Sequence, residues 1–141
     1  MLSETKIQKF LKEIDIYKDK PVIVEGIRDK KVLLELGFEN VVAISGNSLI
    51  KIADDIVSKF KEVVILTDFD KEGRRMYSFL KKYFEAHHLK VIFLSSLFKS
   101  TFKIAKLEEL AYFIKFLRNE ENSINFYIKS LNRKKVLNKL N

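Results

Sequence analysis

The chain has 141 residues, of which 47% are hydrophobic and 12% aromatic, with a formal net charge of +8 and no cysteine. This size suits one ordinary domain, the apolar share excludes a disordered chain, and the lack of cysteine excludes disulfides and thiolate metal sites. The N-terminal stretch MLSETKIQKFLKEI bears charges where a signal peptide has its apolar core, and no run reaches transmembrane length. We therefore expect a soluble, cytoplasmic protein.

The predicted elements alternate between helices and short apolar strands. Ser3 can cap an N-terminal helix of about 3–18, which Pro21 ends. In chain order the remaining pattern predicts a strand at 22–24, a helix at 29–36, a strand at 41–44, a helix at 47–60, a strand at 63–66, a helix at 71–86 and a strand at 91–94.

These strands show no polar alternation, which predicts an α/β fold with a parallel sheet covered by helices on both faces. The strand order of a doubly wound sheet, 2-1-3-4, is expected. The segment of about 100–141 is predicted to be a basic, helical C-terminal extension, with helices near 107–117 and 124–131. No linker or repeat interrupts the pattern, so residues 1–141 are expected to form a single domain.

The positive charge is concentrated in the last third of the chain. Residues 90–141 contain 11 Lys and Arg against 4 Asp and Glu. Such a segment, including Arg133, Lys134 and Lys135, can hold a polyanion electrostatically, or it can simply be a lysine-rich solubilising surface. Charge alone does not decide between these interpretations.

Acidic residues follow two of the predicted strands. The first strand ends in VIVEG, which places Glu25 at its carboxyl end, and the third ends in VVILTDFD, which places Asp68 and Asp70 there. If the two strands are neighbours these carboxylates converge, and each pair about 5 Å apart repels by roughly 3 kcal/mol at an effective dielectric of about 20. Mg²⁺, which prefers oxygen ligands, would offset that repulsion.

Simpler roles exist for each acid. Asp70 can cap the helix that begins at Lys71, and Glu72 suits the positive end of the helix dipole. Glu25 can pair with Arg28 or Lys30. Three of the four glycines follow predicted strands, namely Gly26, Gly46 and Gly73. They can serve plain strand-to-helix turns, or they can let the backbone approach a ligand at this edge of the sheet.

The segments VIVEG, IRDKKVL and VVILTDFDKEGRRM resemble the two signature motifs of the Toprim domain, over roughly residues 20–95. The resemblance is strongest to small stand-alone archaeal and bacterial Toprim proteins and to the ribonucleases that mature 5S ribosomal RNA. It implies that Glu25 is a general acid or base and that Asp68 and Asp70 bind Mg²⁺, or Mn²⁺, with Glu25 as a further candidate ligand of the ion. Glu72 is also a candidate ligand, since it stands where the family often has a further acid, although it is longer than the usual aspartate.

Other parts of larger Toprim proteins have no counterpart in this sequence. A zinc-binding domain would need cysteines, and the phosphate-binding motif G-x-x-x-x-G-K-[ST] is absent. The resemblance implies a stand-alone catalytic module for Mg²⁺-dependent phosphoryl transfer on nucleic acid, and the form we expect is a nuclease, a hydrolase acting on RNA or DNA. The alternative is a non-catalytic module that binds metal and nucleic acid within a larger assembly, and a protein partner or a second copy of the chain is left open.

Residues around the two motifs are candidates for contact with phosphates. They are Gly26, Arg28, Lys30, Gly73, Arg74 and Arg75. The four arginine and lysine side chains can equally well be solvated. Tyr77 and Tyr83 are expected to be packing or surface residues, and His87 and His88 to be surface residues at the end of a helix.

Overall fold

The computed structural model describes residues 3–104, 106–112 and 114. The helices are α1 (Glu4–Ile14), α2 (Ile27–Glu35), α3 (Leu49–Lys59), α4 (Lys71–Ala86) and α5 (Ser95–Phe102). The strands are β1 (Pro21–Val24), β2 (Asn40–Ala43), β3 (Glu62–Ile65) and β4 (Lys90–Phe93), and short 3₁₀ turns lie at Asp15–Tyr17 and Leu107–Glu109.

The sheet has four parallel strands in the order β2-β1-β3-β4, which confirms the predicted α/β fold and strand order. Ile23 of β1 is level with Ile65 of β3, and Ile65 is level with Phe93 of β4. Every residue of β1 is buried, as expected for a central strand covered on both faces. The carboxyl ends of β1 and β3 therefore lie side by side.

Two apolar layers cover the sheet. On one face the core includes residues of α1, α2 and α5, among them Phe10, Leu33 and Phe98. On the other face the core includes residues of α3 and α4, among them Ile56 and Phe84. This is the three-layer arrangement expected of an open parallel sheet.

Three strand predictions are one residue late at both ends. The strands β2, β3 and β4 begin at the polar residues Asn40, Glu62 and Lys90, which pair within the ladder although an apolar pattern does not include them. The apolar residues that follow two of these strands remain bonded to β1, since the amide of Ile44 donates to the Val24 carbonyl and that of Leu66 to the Ile23 carbonyl.

Helix α5 was not predicted. It follows β4 directly, and the expected extension was placed only from about residue 100. The ring of Phe10 in α1 meets those of Phe98 and Phe102 edge-on, with centroids 4.9 and 4.8 Å away, so α5 belongs to the core.

The structure describes only the start of the C-terminal extension. Residues 107–109 form a 3₁₀ turn, and residues 110–112 and 114 are helical. The rest of the helix predicted near 107–117, the whole helix predicted at 124–131 and the basic residues Arg133, Lys134 and Lys135 lie outside the described residues. No helix within the described part of the chain is long and apolar enough to cross a membrane.

Candidate active site

Glu25 and Asp68 meet at the carboxyl edge of the sheet. They follow the adjacent strands β1 and β3, and the backbone amide of Asp68 donates a hydrogen bond of 3.1 Å to Oε2 of Glu25. Both side chains are half-buried. Two acids from separate strands are thus brought together although they are 43 positions apart in the sequence.

The surroundings of Glu25 raise the pKa of its carboxyl group to about 7. Burial, which disfavours the charged form, is the largest cause, and the carboxyl groups of Asp68 and Asp70 add to it. The hydrogen bond from the Asp68 amide acts in the opposite direction and is smaller. Glu25 therefore gains and loses its proton near neutral pH, which is the property required of a general acid or base.

The carboxylate of Asp68 is bound by a distant part of the chain. The backbone amide of Leu107 donates a hydrogen bond of 3.3 Å to its Oδ1, and Leu107 begins the 3₁₀ turn that packs on α2. Sequence reasoning missed this contact. No local pattern indicates which amide, 39 positions away, will fold back onto an acid.

Asp70 caps helix α4, as the simpler interpretation of this residue predicted. Its Oδ1 accepts a hydrogen bond of 2.8 Å from the Gly73 amide. The hydroxyl of Thr67 donates to the Gly73 carbonyl, also at 2.8 Å. These bonds join residues 68–70, which we call the DFD turn, to the first turn of α4. They fix the position of Asp70 relative to Asp68. Capping engages one carboxylate oxygen of Asp70, and no hydrogen bond within the described residues engages the other.

A fourth acid, Asp29, lies beside the site and was not predicted to belong to it. Its side chain is 7% exposed, and its Oδ2 accepts a hydrogen bond of 2.9 Å from the Gly26 amide. Burial raises the pKa of Asp29, and the charges of Asp68 and Glu108 raise it further. The hydrogen bond from the Gly26 amide and the charge of Lys106 act in the opposite direction. A helix-capping residue followed by an acid three positions later is a known local signal, so Asp29 could have been found from the sequence.

The basic residues proposed for phosphate contact do not all lie at the acidic site. Arg74 lines a cavity together with Asp68 and also a second groove on α4, whereas Arg75 lines that second groove with Lys71 and does not line the cavity. Arg28 is exposed, and no ion pair between Glu25 and Arg28 or Lys30 occurs within the described part of the chain.

The two predicted glycines have internal partners. The Gly26 amide is bound by Asp29 and the Gly73 amide by Asp70, so both amides already have acceptors within the protein. Gly73 also lies against the backbone of Asp68. Glu72, the further acid, is exposed on the first turn of α4.

The donor set suits a hard divalent ion. Among the residues described, no three acidic or histidine side chains are grouped as a preformed metal cage. Mg²⁺ does not require one, because it is usually bound through one or two carboxylates, waters and substrate phosphates. Asp68 and Asp70 both lie close enough to Glu25 for their charges to raise its pKa. These two aspartates are therefore the residues that would hold the ion.

A parallel sheet of order 2-1-3-4 with acids at the ends of β1 and β3 defines an α/β domain whose acidic edge suits a divalent metal ion. Residues 19–95, more than half of the chain, match the profile of the Toprim domain, and the chain belongs to the Toprim family. Toprim domains typically bind Mg²⁺ in proteins that process nucleic acid, such as primases. The predicted family is thus confirmed.

Similar proteins are found in archaea. The UPF0292 protein MJ1624 of Methanocaldococcus jannaschii is 38% identical over 89 residues, which are 61% of this chain and 70% of that protein. The UPF0292 protein TV1259 of Thermoplasma volcanium is 46% identical over 66 residues, 45% of this chain and 52% of that protein. The match thus spans about half of the second relative.

Two solved structures from Aquifex aeolicus have the same fold. One protein superposes with a TM-score of 0.64 at 26% identity, covering 73% of this chain and 96% of that one. The other is a primase, solved as its zinc-binding and RNA polymerase domains, with a TM-score of 0.50 at 25% identity, covering 85% of this chain and 27% of the primase.

Proposed function

We propose that the chain is a Mg²⁺-dependent phosphoryl-transfer enzyme that cleaves nucleic acid, with Mn²⁺ as a substitute ion. The observation that carries the proposal is the contact between Glu25 and Asp68, in which a carboxyl group with a pKa of about 7 adjoins an aspartate of the metal-type D-x-D motif. Repulsion between the carboxyl groups costs stability and opposes the hydrogen bond that joins the two residues, and a bound cation would offset that repulsion.

Each residue of the site has a distinct task in this reaction. Asp68 and Asp70 would hold the ion, which when bound would offset the charge that develops on the phosphate. In its ionised form Glu25 accepts a proton from the attacking water. In its protonated form it donates a proton to the leaving oxygen. Arg74, which shares a cavity with Asp68, binds a phosphate oxygen next to the scissile bond.

The supporting contacts keep these groups in place without taking part in the chemistry. The amide of Leu107 orients the Asp68 carboxylate, and the Asp70–Gly73 cap fixes the turn that presents both aspartates. Asp29 fixes the Gly26 amide directly after Glu25. Catalytic groups on a rigid frame of this kind do not need to reorganise during the reaction.

The test is incubation of the purified chain with structured RNA, single-stranded RNA, single-stranded DNA and duplex DNA, in Mg²⁺, Mn²⁺ or EDTA. We expect metal-dependent cleavage that falls by about 10²-fold or more in Glu25→Gln and in Asp68→Asn. Glu72→Gln, a neighbouring but exposed acid, is the matched control and should retain activity.

Circular dichroism should show that all three variants are folded. Full activity of Asp68→Asn would contradict the proposal. Binding of nucleic acid without cleavage of any substrate would instead favour the non-catalytic module, which has the same metal site but no turnover.

A further inference from the structure

A groove next to the acidic site has the properties of a binding surface for single-stranded nucleic acid. It consists of two adjoining cavities, of about 190 and 630 Å³, that share Phe69, Ser96 and Lys99, and we call it the β4–α5 groove. The smaller cavity is also lined by Thr67, Asp68, Arg74, Tyr77, Phe93 and Ser95. The larger one is also lined by Ser100, Lys103 and Ile104.

An exposed aromatic pair lies in this groove. Phe93, the last residue of the edge strand β4, is 54% exposed, whereas Phe98 and Phe102 in the next helix are buried. Its ring meets that of Tyr77 at 67°, with the centroids 5.4 Å apart. Phe93 is thus supported from one side and open to solvent on the other. Bases stack on aromatic side chains presented in this way.

Cations line the groove. Arg74 and Lys99 line the same cavity as the aromatic pair and Lys103 lines the larger cavity, and Asp68 is the only carboxylate among the described lining residues. The serine hydroxyls at 95, 96 and 100 supply neutral hydrogen-bonding groups. A surface that combines positive charge with an open aromatic face is complementary to a strand of phosphates and bases.

We propose that the β4–α5 groove binds a single-stranded segment of nucleic acid, with one base stacked on Phe93, whose ring Tyr77 supports, and the flanking phosphates on Arg74 and Lys99. This inference rests on the proposed function and defines its substrate, because the groove opens onto Asp68 and so leads the strand into the site. A duplex would not fit this scheme, since its bases are stacked on one another and offer no free face.

The absence of tryptophan allows a direct test of where the strand lies. F93W introduces a single tryptophan in the groove, and F79W introduces one on α4 in another groove, which is lined by Lys71, Arg75 and Lys82 and shares only Arg74 with the β4–α5 groove. Each variant is titrated in EDTA with single strands of about 12 nucleotides, as RNA and as DNA, and with the matching duplexes.

We expect single strands to quench the emission of F93W and leave that of F79W unchanged, and we expect duplexes at the same concentration to quench neither. Quenching by RNA or DNA alone identifies the type of strand. If single strands do not quench the emission of F93W, the proposal is overturned. This holds even where the fluorescence anisotropy of a labelled strand shows binding.

Affinities provide the second measurement. Phe93→Leu should weaken single-strand binding about tenfold. Phe93→Tyr, which keeps an aromatic ring, should bind as the wild type does, and so should Phe79→Leu. Lys99→Gln should weaken binding and lower the salt dependence by about one counterion. Wild-type affinity in Phe93→Leu overturns the proposal.

Binding in EDTA separates this inference from the proposed enzymatic function. Quenching of F93W in a chain that cleaves nothing supports the groove and contradicts the enzyme. Metal-dependent cleavage with F93W unquenched contradicts the groove alone.

Discussion

A β-carbon on Gly73 would lie 2.0 Å from the carbonyl oxygen of Asp68. No pair of atoms of this kind tolerates that separation, so the first turn of α4 can approach the DFD turn only with glycine at this position. The sequence left open whether Gly73 serves a plain turn or a ligand-binding edge. The structure shows that the close approach is to the chain itself, and that it positions the candidate metal-binding acids.

Gly73→Ala should therefore be strongly destabilising. The backbone of Asp68 would have to move, which breaks the hydrogen bonds of Thr67 and Asp70 to residue 73, and we expect a loss of about 3 kcal/mol in the free energy of unfolding. Urea denaturation measures this loss.

Gly26→Ala is the control. Gly26 has φ −127°, and its added β-carbon would lie 3.5 Å from the nearest atom, an ordinary contact. The control should cost less than about 1 kcal/mol. If Gly73→Ala also lost less than about 1 kcal/mol, the close packing of Gly73 against Asp68 would not require glycine.

The raised pKa of Glu25 predicts how the stability of the metal-free protein depends on pH. The pKa is about 7 in the folded chain and 4.5 ordinarily, so the folded state binds the proton more tightly. The contribution of Glu25 to the free energy of unfolding is therefore greatest below pH 4.5. It falls as the pH rises towards 7, because Glu25 must then ionise in the folded chain.

Glu25→Gln removes this ionisation. In EDTA, the melting temperature of the variant relative to wild type should rise as pH is increased from about 5 to about 8. Glu39→Gln, an exposed site on the loop before β2, should show no such trend. A constant difference between Glu25→Gln and wild type would mean that Glu25 ionises freely in the folded chain.

Asp29 should act through its hydrogen bond rather than its charge. Asp29→Ala leaves the Gly26 amide without its acceptor in a mostly buried place, and we expect a cost of about 1–3 kcal/mol in urea denaturation. Asp29→Asn keeps an oxygen acceptor and removes a charge that faces Asp68 and Glu108, so its cost should be smaller. An equal cost in both variants would show that the negative charge is what matters.

The packing of α1 on α5 can be tested at Phe10. This ring is 1% exposed between Phe98 and Phe102, so Phe10→Ala should cost about 3–5 kcal/mol in the free energy of unfolding. Phe79→Ala, at a ring 49% exposed, should cost much less. Similar costs would mean that α5 does not cover the core.

The fold was predictable because its signals are local. The run VIV before Glu25 and the run VVIL before Thr67 have no polar alternation, which indicates strands buried on both faces, and the intervening helices force parallel crossovers. Once β1 and β3 are neighbours, the positions of Glu25 and Asp68 follow from the register. The cap at Asp70 was likewise predictable from its place before α4.

The remaining features depend on contacts that local sequence does not encode. The bond from Leu107 to Asp68 joins residues 39 positions apart. Helix α5 follows β4 without a glycine or proline to mark the boundary, so it was not predicted. The exposure of Phe93 depends on β4 being an edge strand, and a phenylalanine at the end of an apolar run is otherwise expected to be buried.

The most direct test of the central claim is the binding of Mn²⁺, followed by electron paramagnetic resonance, in the wild type, Asp68→Asn, Asp70→Asn and Glu72→Gln. If a divalent ion relieves the crowding of acids at the ends of β1 and β3, the wild type and Glu72→Gln should bind Mn²⁺ alike, Mg²⁺ should compete, and each aspartate variant should bind at least about tenfold more weakly. Wild-type affinity in Asp68→Asn would contradict the account.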